Sequence, residues 1–115
     1  MENCIFCQIA EGELDAEICY QDQRIIVFKD VNPQAPVHLL AIPRRHIASL
    51  DELQKEEDYQ LLPHLFRVIN SMAREEGLEE RGFRVVVNCG EEGGQTVSHL
   101  HFHLLGGRQL EWPPG

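Results

Sequence analysis

The chain has 115 residues and carries 10 Lys+Arg against 19 Asp+Glu, a formal charge of −9, with 43% hydrophobic and 25% charged side chains. That length suits one compact domain and hardly two, the apolar content is too high for disorder, and no apolar run is long enough to span a membrane. The acidity speaks against nucleic acid and anionic membrane surfaces as partners.

No repeat, low-complexity tract or Ser/Gly linker divides the sequence, so residues 1–115 are expected to form a single domain. A short helix is expected at Asn3–Ala10, with Cys4 and Cys7 on one face. Alternation and β-branched or aromatic enrichment place strands near Glu17–Tyr20, Ile25–Phe28 and Leu39–Ile42, with turn signals at Gln21-Asp22 and Asn32-Pro33. Leu61, Leu62, Leu65, Phe66, Ile69, Met72 and Ala73 then recur at three- and four-residue spacing, the mark of an amphipathic helix. Glu56, Glu57 and Asp58 would sit near its N-terminus, where the helix dipole favours negative charge, and Gly77 would cap its C-terminus. Pro63 demands either a kink or a start close to it. Two last strands, Phe83–Asn88 and Leu100–Leu105, flank a glycine-rich stretch from Gly90 to Gly94. Five strands with one long and one short helix read as α+β with a largely antiparallel sheet.

The negative charge is unevenly spread. Residues 51–80 carry three basic and nine acidic side chains, six of the nine net charges, whereas 81–115 carry three of each. The strand-and-loop half therefore stays open to a small anion, because local field governs such a ligand.

In that half, Ser98–Leu105 reads SHLHFHLL, with His99, His101 and His103 alternating with Leu100, Phe102 and Leu104. Residues two apart on a strand share a face, so three imidazoles would line one side and three apolar residues the other. Such a row supplies either metal ligands or a nucleophile with acid/base neighbours, whereas a lone strand histidine is usually just a polar residue facing outward. Just upstream, the loop Asn88-Cys89-Gly90-Glu91-Glu92-Gly93-Gly94-Gln95-Thr96 has the glycines that let backbone N–H groups surround an anion, a composition that a plain flexible connector shares. An anion cradle beside a nucleophilic imidazole suits phosphoryl or nucleotidyl transfer.

The N-terminal MENCIFCQIA has neither the basic nor the apolar region of a secretory signal, so a cytoplasmic location is expected. There, cysteines are more often metal ligands or buried residues than disulfides. Cys4-x-x-Cys7 supplies two of the four ligands a structural zinc needs, and a redox-active dithiol would want a βαβ setting that is missing here. Cys19 and Cys89 read as packing residues, and His64 as a solvated residue on the long helix.

The segment from Gly82 to Gly115, GFRVVVNCGEEGGQTVSHLHFHLLGGRQLEWPPG, resembles the C-terminal half of the histidine triad superfamily, whose signature is His-φ-His-φ-His-φ-φ with φ apolar. His99 through Leu105 satisfy every position. The tail GGRQLEWPPG is similar to that of the purine nucleoside phosphoramidase branch, the histidine triad nucleotide-binding proteins. It does not look like the dinucleoside polyphosphate hydrolases, where a Gln and further polar residues follow the triad. FKDVNPQAPVHLLAIPRRHI, from Phe28 to Ile47, fits the same branch, so the resemblance covers essentially the whole chain.

The resemblance implies a histidine triad fold, pairing into a homodimer, that cleaves the P–N bond of adenosine or guanosine 5′-monophosphoramidates. His101 would attack the α-phosphorus and carry a nucleotidyl-imidazole intermediate, its ring held by the backbone carbonyl of His99. His103 would contact the α-phosphate oxygens, His38 would support the catalytic histidine, and Thr96 would place a hydroxyl near the leaving group. Asn88 and the backbone from Gly94 through Gln95 to Val97 would bind phosphate. Asp30 would accept the ribose hydroxyls, and Ile5, Phe6, Phe28 and Val31 would line a slot for the purine. Cys4, Cys7, His46 and His99 would hold a structural Zn2+, and the tail around Trp112 would reach the partner's active-site rim. Two rivals remain: a dinucleoside polyphosphate hydrolase or nucleotidyl transferase with the same nucleophile, and a nucleotide-binding module without catalysis.

Overall fold

Alternation sorts the strand residues onto two faces, and a different helix covers each. The computed structural model describes residues 3–115 and contains β1 (Ile18–Gln21), β2 (Ile25–Lys29), β3 (Val37–Pro43), β4 (Phe83–Val87) and β5 (Phe102–Gly106). They form one antiparallel sheet in the order β1-β2-β3-β5-β4. Leu39 pairs with Leu104, Leu40 with His103 and Val86 with His103, which sets the two faces. On one face Val27, Leu39, Ala41, Phe102 and Leu104 pack against Leu65, Val68, Ile69 and Met72 of a 15-residue helix at Leu61–Glu75. On the other, Ile26, Phe28, Leu40 and Ile42 pack against Phe6, Cys7 and Ile9 of α1 (Ile5–Ala10). Each fully buried Leu or Ile contributes roughly 1.5–3 kcal/mol, so both helices are held chiefly by their apolar faces.

The expected architecture is present, with shifts at element ends that have physical causes. Cys4 is the N-cap of α1, its Sγ accepting the Cys7 N–H at 3.3 Å, so that helix starts at Ile5. The acidic run does not open the long helix. Glu56–Tyr59 forms a separate turn, α2, in which the Lys55 backbone N–H donates to Asp58 Oδ2 at 3.4 Å and buried Asp58 pairs with Arg45. The long helix, α3, starts at Leu61, so Pro63 lies in its first turn, where a missing N–H costs no hydrogen bond. Gly77, at φ +72°, takes the left-handed conformation just past its end.

The last strand begins at Phe102, two residues later than expected. His99, Leu100 and His101 lie outside the ladder, held by other bonds: the Leu100 N–H donates to the Ile47 carbonyl at 2.7 Å, and His99 Nε2–H donates to the Pro43 carbonyl at 2.8 Å. The alternation continues through them, since Leu100, Phe102 and Leu104 all join the α3-side core.

Two residues differ in role from expectation. His64 is half-buried, and its Nε2–H donates to Asp22 Oδ2 at 2.6 Å, tying α3 to the β1–β2 turn that Tyr20 also holds through the same oxygen. A helix-face pattern carries no signal for a partner 42 residues away. The Cys89 thiol donates to Asp51 Oδ1 at 3.3 Å, while Cys19 does pack against the core. Among the described residues no helix is long and apolar enough to cross a membrane.

Candidate active site and metal centre

The segment leading into β5 brings three histidine rings to the α1 side of the sheet. His101 is 4% exposed, and its Nδ1–H donates to the His99 carbonyl at 2.7 Å. That bond fixes the neutral tautomer with the lone pair on Nε2. Nε2 has no partner among the described residues, yet no buried side-chain nitrogen or oxygen lacks one, so this atom reaches solvent. The Phe6 ring stands edge-to-face to His101 at 5.1 Å, and the His103 ring lies 5.0 Å from it. The ring is thereby clamped with one nitrogen outward, the geometry of a nucleophile.

His103 lies on β5 and His38 on the neighbouring strand β3, diagonal to it, with His38 Nε2 and His103 Nδ1 2.9 Å apart. His38 Nδ1 accepts the Gln34 N–H at 3.0 Å, and Asp30 Oδ2 lies 3.4 Å from His38 Nε2. Burial pushes His38 below the ordinary imidazole range, with Asp30 opposing. Burial, then the neighbouring His101 and His38, lowers His103 to about 4. Both rings are therefore neutral at pH 7.

A second cluster lies behind the first. The ligand atoms of Cys4, Cys7, His46 and His99 lie within 4.8 Å of one another. His99 Nδ1 is 3.2 Å from Cys4 Sγ and 3.5 Å from Cys7 Sγ, and His46 Nδ1 is 3.3 Å from Cys7 Sγ. Zinc bonds of about 2.3 Å to sulfur and 2.0 Å to nitrogen give tetrahedral S···N edges of roughly 3.5 Å, and these separations fit such edges. The Pro43 carbonyl accepts the His99 Nε2–H and so aims Nδ1 at the thiols, as outer-shell partners of metal-bound histidines do. Burial, then the adjacent Cys4, pushes the Cys7 thiol up; a cation would pull it down. The donor set suits a closed zinc site.

The glycine-rich loop is organised by its own bonds. Gly94 N–H donates to the Glu91 carbonyl and Gln95 N–H to the Gly90 carbonyl, both at 3.0 Å. These two groups expected to face phosphate are thus occupied, whereas the Thr96 and Val97 N–H groups have no partner among the described residues. Asn88 Nδ2 donates to the Gly93 carbonyl at 2.6 Å. A Cβ on Gly93 would come within 2.3 Å of the Cys89 carbonyl oxygen, so that turn requires glycine. Gln95 emerges as a staple that sequence reasoning missed: its side chain accepts from Gly90 N–H and donates to the Ala48 and Val97 carbonyls. Nearby, Phe6 and Phe28 stack edge-to-face at 5.4 Å, both buried, while Ile5 is 47% and Val31 97% exposed. Neither Ile5 nor Val31 is core. The Trp112 ring lies exposed with the Arg84 guanidinium 5.9 Å over it.

Residues 3–111 match the family described as scavenger mRNA decapping enzyme C-term binding. An uncharacterized HIT-like protein of Synechococcus elongatus is 52% identical over 114 residues, 99% of this chain and 98% of its own. Among solved structures, a HIT family hydrolase from Legionella pneumophila Philadelphia 1 superposes with a TM-score of 0.94 at 48% identity, covering 98% of this chain and 100% of that one. A Zn-bound histidine triad family protein from Mycobacterium smegmatis superposes with a TM-score of 0.78 at 31% identity, covering 93% of this chain and 76% of that one.

Proposed function

The chain belongs to the histidine triad superfamily, and from that premise we propose that it hydrolyses purine nucleoside 5′-monophosphoramidates to the nucleotide and an amine. The observation that carries this reading is His101, a buried imidazole whose Nδ1–H is donated to the His99 carbonyl and whose Nε2 lone pair reaches solvent. Nε2 attacks the α-phosphorus; the N–P bond to the imidazole forms as the P–N bond to the amine breaks, and the amine departs with a proton taken from solvent. Water then attacks the same phosphorus, releases the nucleotide and restores His101. Splitting one displacement into two lowers each barrier.

The surrounding residues take roles their placement supports. His103, neutral and beside His101, donates to the phosphate oxygens. The Thr96 hydroxyl and the Thr96 and Val97 N–H groups bind phosphate, while Asn88, Gly94 and Gln95 shape the loop that presents them. Asp30 accepts the ribose hydroxyls. Ile5 and Val31 cover the purine from outside, over the buried Phe6–Phe28 pair.

Zinc bound by Cys4, Cys7, His46 and His99 would be four-coordinate with no open position, supplying folding energy and no reacting group. The same reading makes residues 1–115 one cytoplasmic domain acting as a homodimer. Edge strand β4, with Phe83 exposed and Val85 and Val87 half-buried, together with the exposed Phe66 of α3, forms the apolar face that a second copy covers.

Intact-mass analysis during turnover of adenosine 5′-phosphoramidate tests the nucleophile. A gain of one adenylyl group in the intact protein, absent from His101→Ala and His101→Gly, is the expected result. An adduct that persists in His101→Ala sinks the assignment. Faster turnover of a diadenosine polyphosphate than of the phosphoramidate moves the protein to the other branch, and binding without turnover of either leaves a nucleotide-binding module.

A further inference from the structure

We propose that His38 is a positioning residue that couples recognition of a ribose diol to the orientation of His103, because its one ring N–H is within reach of both His103 and Asp30. The inference rests on the nucleotide-hydrolase reading above and deepens it: the substrate class is ribonucleotide, and the hydroxyls act on the chemical step as well as on affinity.

His38 is 6% exposed, and its Nδ1 accepts the Gln34 N–H at 3.0 Å. A backbone N–H can only donate, so Nδ1 holds a lone pair and the neutral ring carries its proton on Nε2. Nε2 lies 2.9 Å from His103 Nδ1 and 3.4 Å from Asp30 Oδ2. His103 Nδ1 is therefore an acceptor, and the proton of the His103 ring sits on Nε2. One backbone amide in the turn after β2 thus sets two tautomers in series.

The same turn carries Asp30. Its Oδ1 accepts the Asn32 N–H at 2.9 Å, its own N–H donates to the His38 carbonyl at 3.0 Å, and Arg108 Nε–H donates to the Gln34 carbonyl at 3.0 Å. Carboxylate and imidazole are therefore held at a fixed spacing. In the free protein the Asp30 side chain is 20% exposed and water can satisfy it. A bound nucleoside excludes that water. A ribose replaces it with two hydroxyl donors; a 2′,3′-dideoxyribose replaces it with none. With Oδ1 held by the Asn32 N–H, a desolvated Oδ2 without a donor is costly, and the donor within reach of it is His38 Nε2–H. Rotation of that N–H toward Asp30 takes it from His103, whose ring then loses the bond that fixes its tautomer and its aim. A His103 that is out of aim in the bound state holds the phosphate less well where its charge builds up, in the transition state, and so lowers the rate more than the affinity.

Two measurements test the coupling. The first compares single-turnover rate constants and half-saturation for adenosine 5′-phosphoramidate and its 2′,3′-dideoxy analogue in the unmodified protein and in Asp30→Asn, whose neutral amide competes weakly. Loss of the diol should slow the cleavage step about tenfold in the unmodified protein and about twofold or less in Asp30→Asn, with weaker binding in both. The second is imidazole 15N NMR. His103 should be protonated on Nε2, with Nδ1 hydrogen-bonded in the AMP complex and not in the 2′,3′-dideoxy-AMP complex. Equal rate penalties in both proteins, a His103 protonated on Nδ1, or identical spectra with the two bound nucleotides overturn the proposal. A protein that binds AMP but turns over neither substrate loses the hydrolase reading alone, because the spectra still decide the coupling. Failure to bind AMP removes both.

Discussion

Cys4, Cys7, His46 and His99 converge from α1, the stretch after β3 and the segment before β5, whereas Asp30, His38 and His103 converge from one turn and two paired strands. The first set is rich in thiols and gathers pieces that no sheet ladder joins. The second has no thiol, stands on neighbouring strands whose ladder already fixes it, and is bonded internally by its own ring nitrogens. A soft, closed donor set suits a tightly held ion and adds stability; a hydrogen-bonded imidazole chain on rigid strands suits orientation of protons. His99 links the two, its ring among the thiols and its carbonyl on His101. The ring of His101, the proposed nucleophile, is thus aimed by a residue whose own ring belongs to the metal-type cluster.

The comparison breaks most plainly at the thiols. Cys7→Ser should abolish bound zinc and lower Tm by about 10 °C or more, since losing a closed structural site costs several kcal/mol and each kcal/mol is worth about 4–8 °C in a domain this small. Metal analysis and thermal melts, before and after chelation, check this; a metal-stripped protein that melts unchanged would show the quartet to be a hydrogen-bonded thiol–imidazole cluster only. His103→Ala should do the reverse. Its phosphoramidate turnover should fall about 10²-fold, the scale of a lost hydrogen-bonding catalytic group, with Tm shifted by a few degrees at most. If His103→Ala instead lost its metal, the two clusters would be one functional unit.

Acid should expose the second cluster next. His103 titrates near 4 in the folded chain and His38 is also lowered, both mainly through burial, whereas an unfolded histidine titrates at about 6.5. Below that value the unfolded state takes up protons that the folded state refuses, so stability falls as pH drops from about 6.5 toward 4 and is fully present above that window. Melts between pH 7 and pH 4.5 should show this fall, and His103→Asn should flatten it. An equal slope in the variant assigns the acid sensitivity elsewhere.

How much of this was legible in the sequence differs between the clusters. The triad row was visible because side-chain alternation needs only extended backbone: His99 and His101 keep their face although the ladder begins at Phe102. The metal-type quartet was half visible. Cys4-x-x-Cys7 supplied two donors, and only the family resemblance pointed to His46 and His99, which lie 39 and 92 residues from Cys7. Neither composition nor period could show that Gly94 and Gln95 spend their N–H groups inside the loop, or that the Gln34 amide sets the His38 tautomer. Those depend on where turns close. The break between α2 and α3 was hidden for a related reason, since helical spacing persists across it while α2 ends at Tyr59 and α3 opens at Leu61.

The smallest expected effect concerns the surface next to the second cluster. Val31 follows Asp30 directly and is 97% exposed, so nothing in the free protein depends on its side chain. Val31→Ala should leave Tm and metal content unchanged. If a purine covers it, removing two methyl groups forfeits roughly 0.5–1 kcal/mol of buried apolar surface, a two- to fivefold rise in KM with kcat intact. Asp30, one residue away, is expected to alter the chemical step instead, so adjacent positions on one turn should divide between KM and kcat. A kcat effect at Val31 of the same size as its KM effect would mean that the turn moves as a whole, and that Asp30 has no separate line to His103.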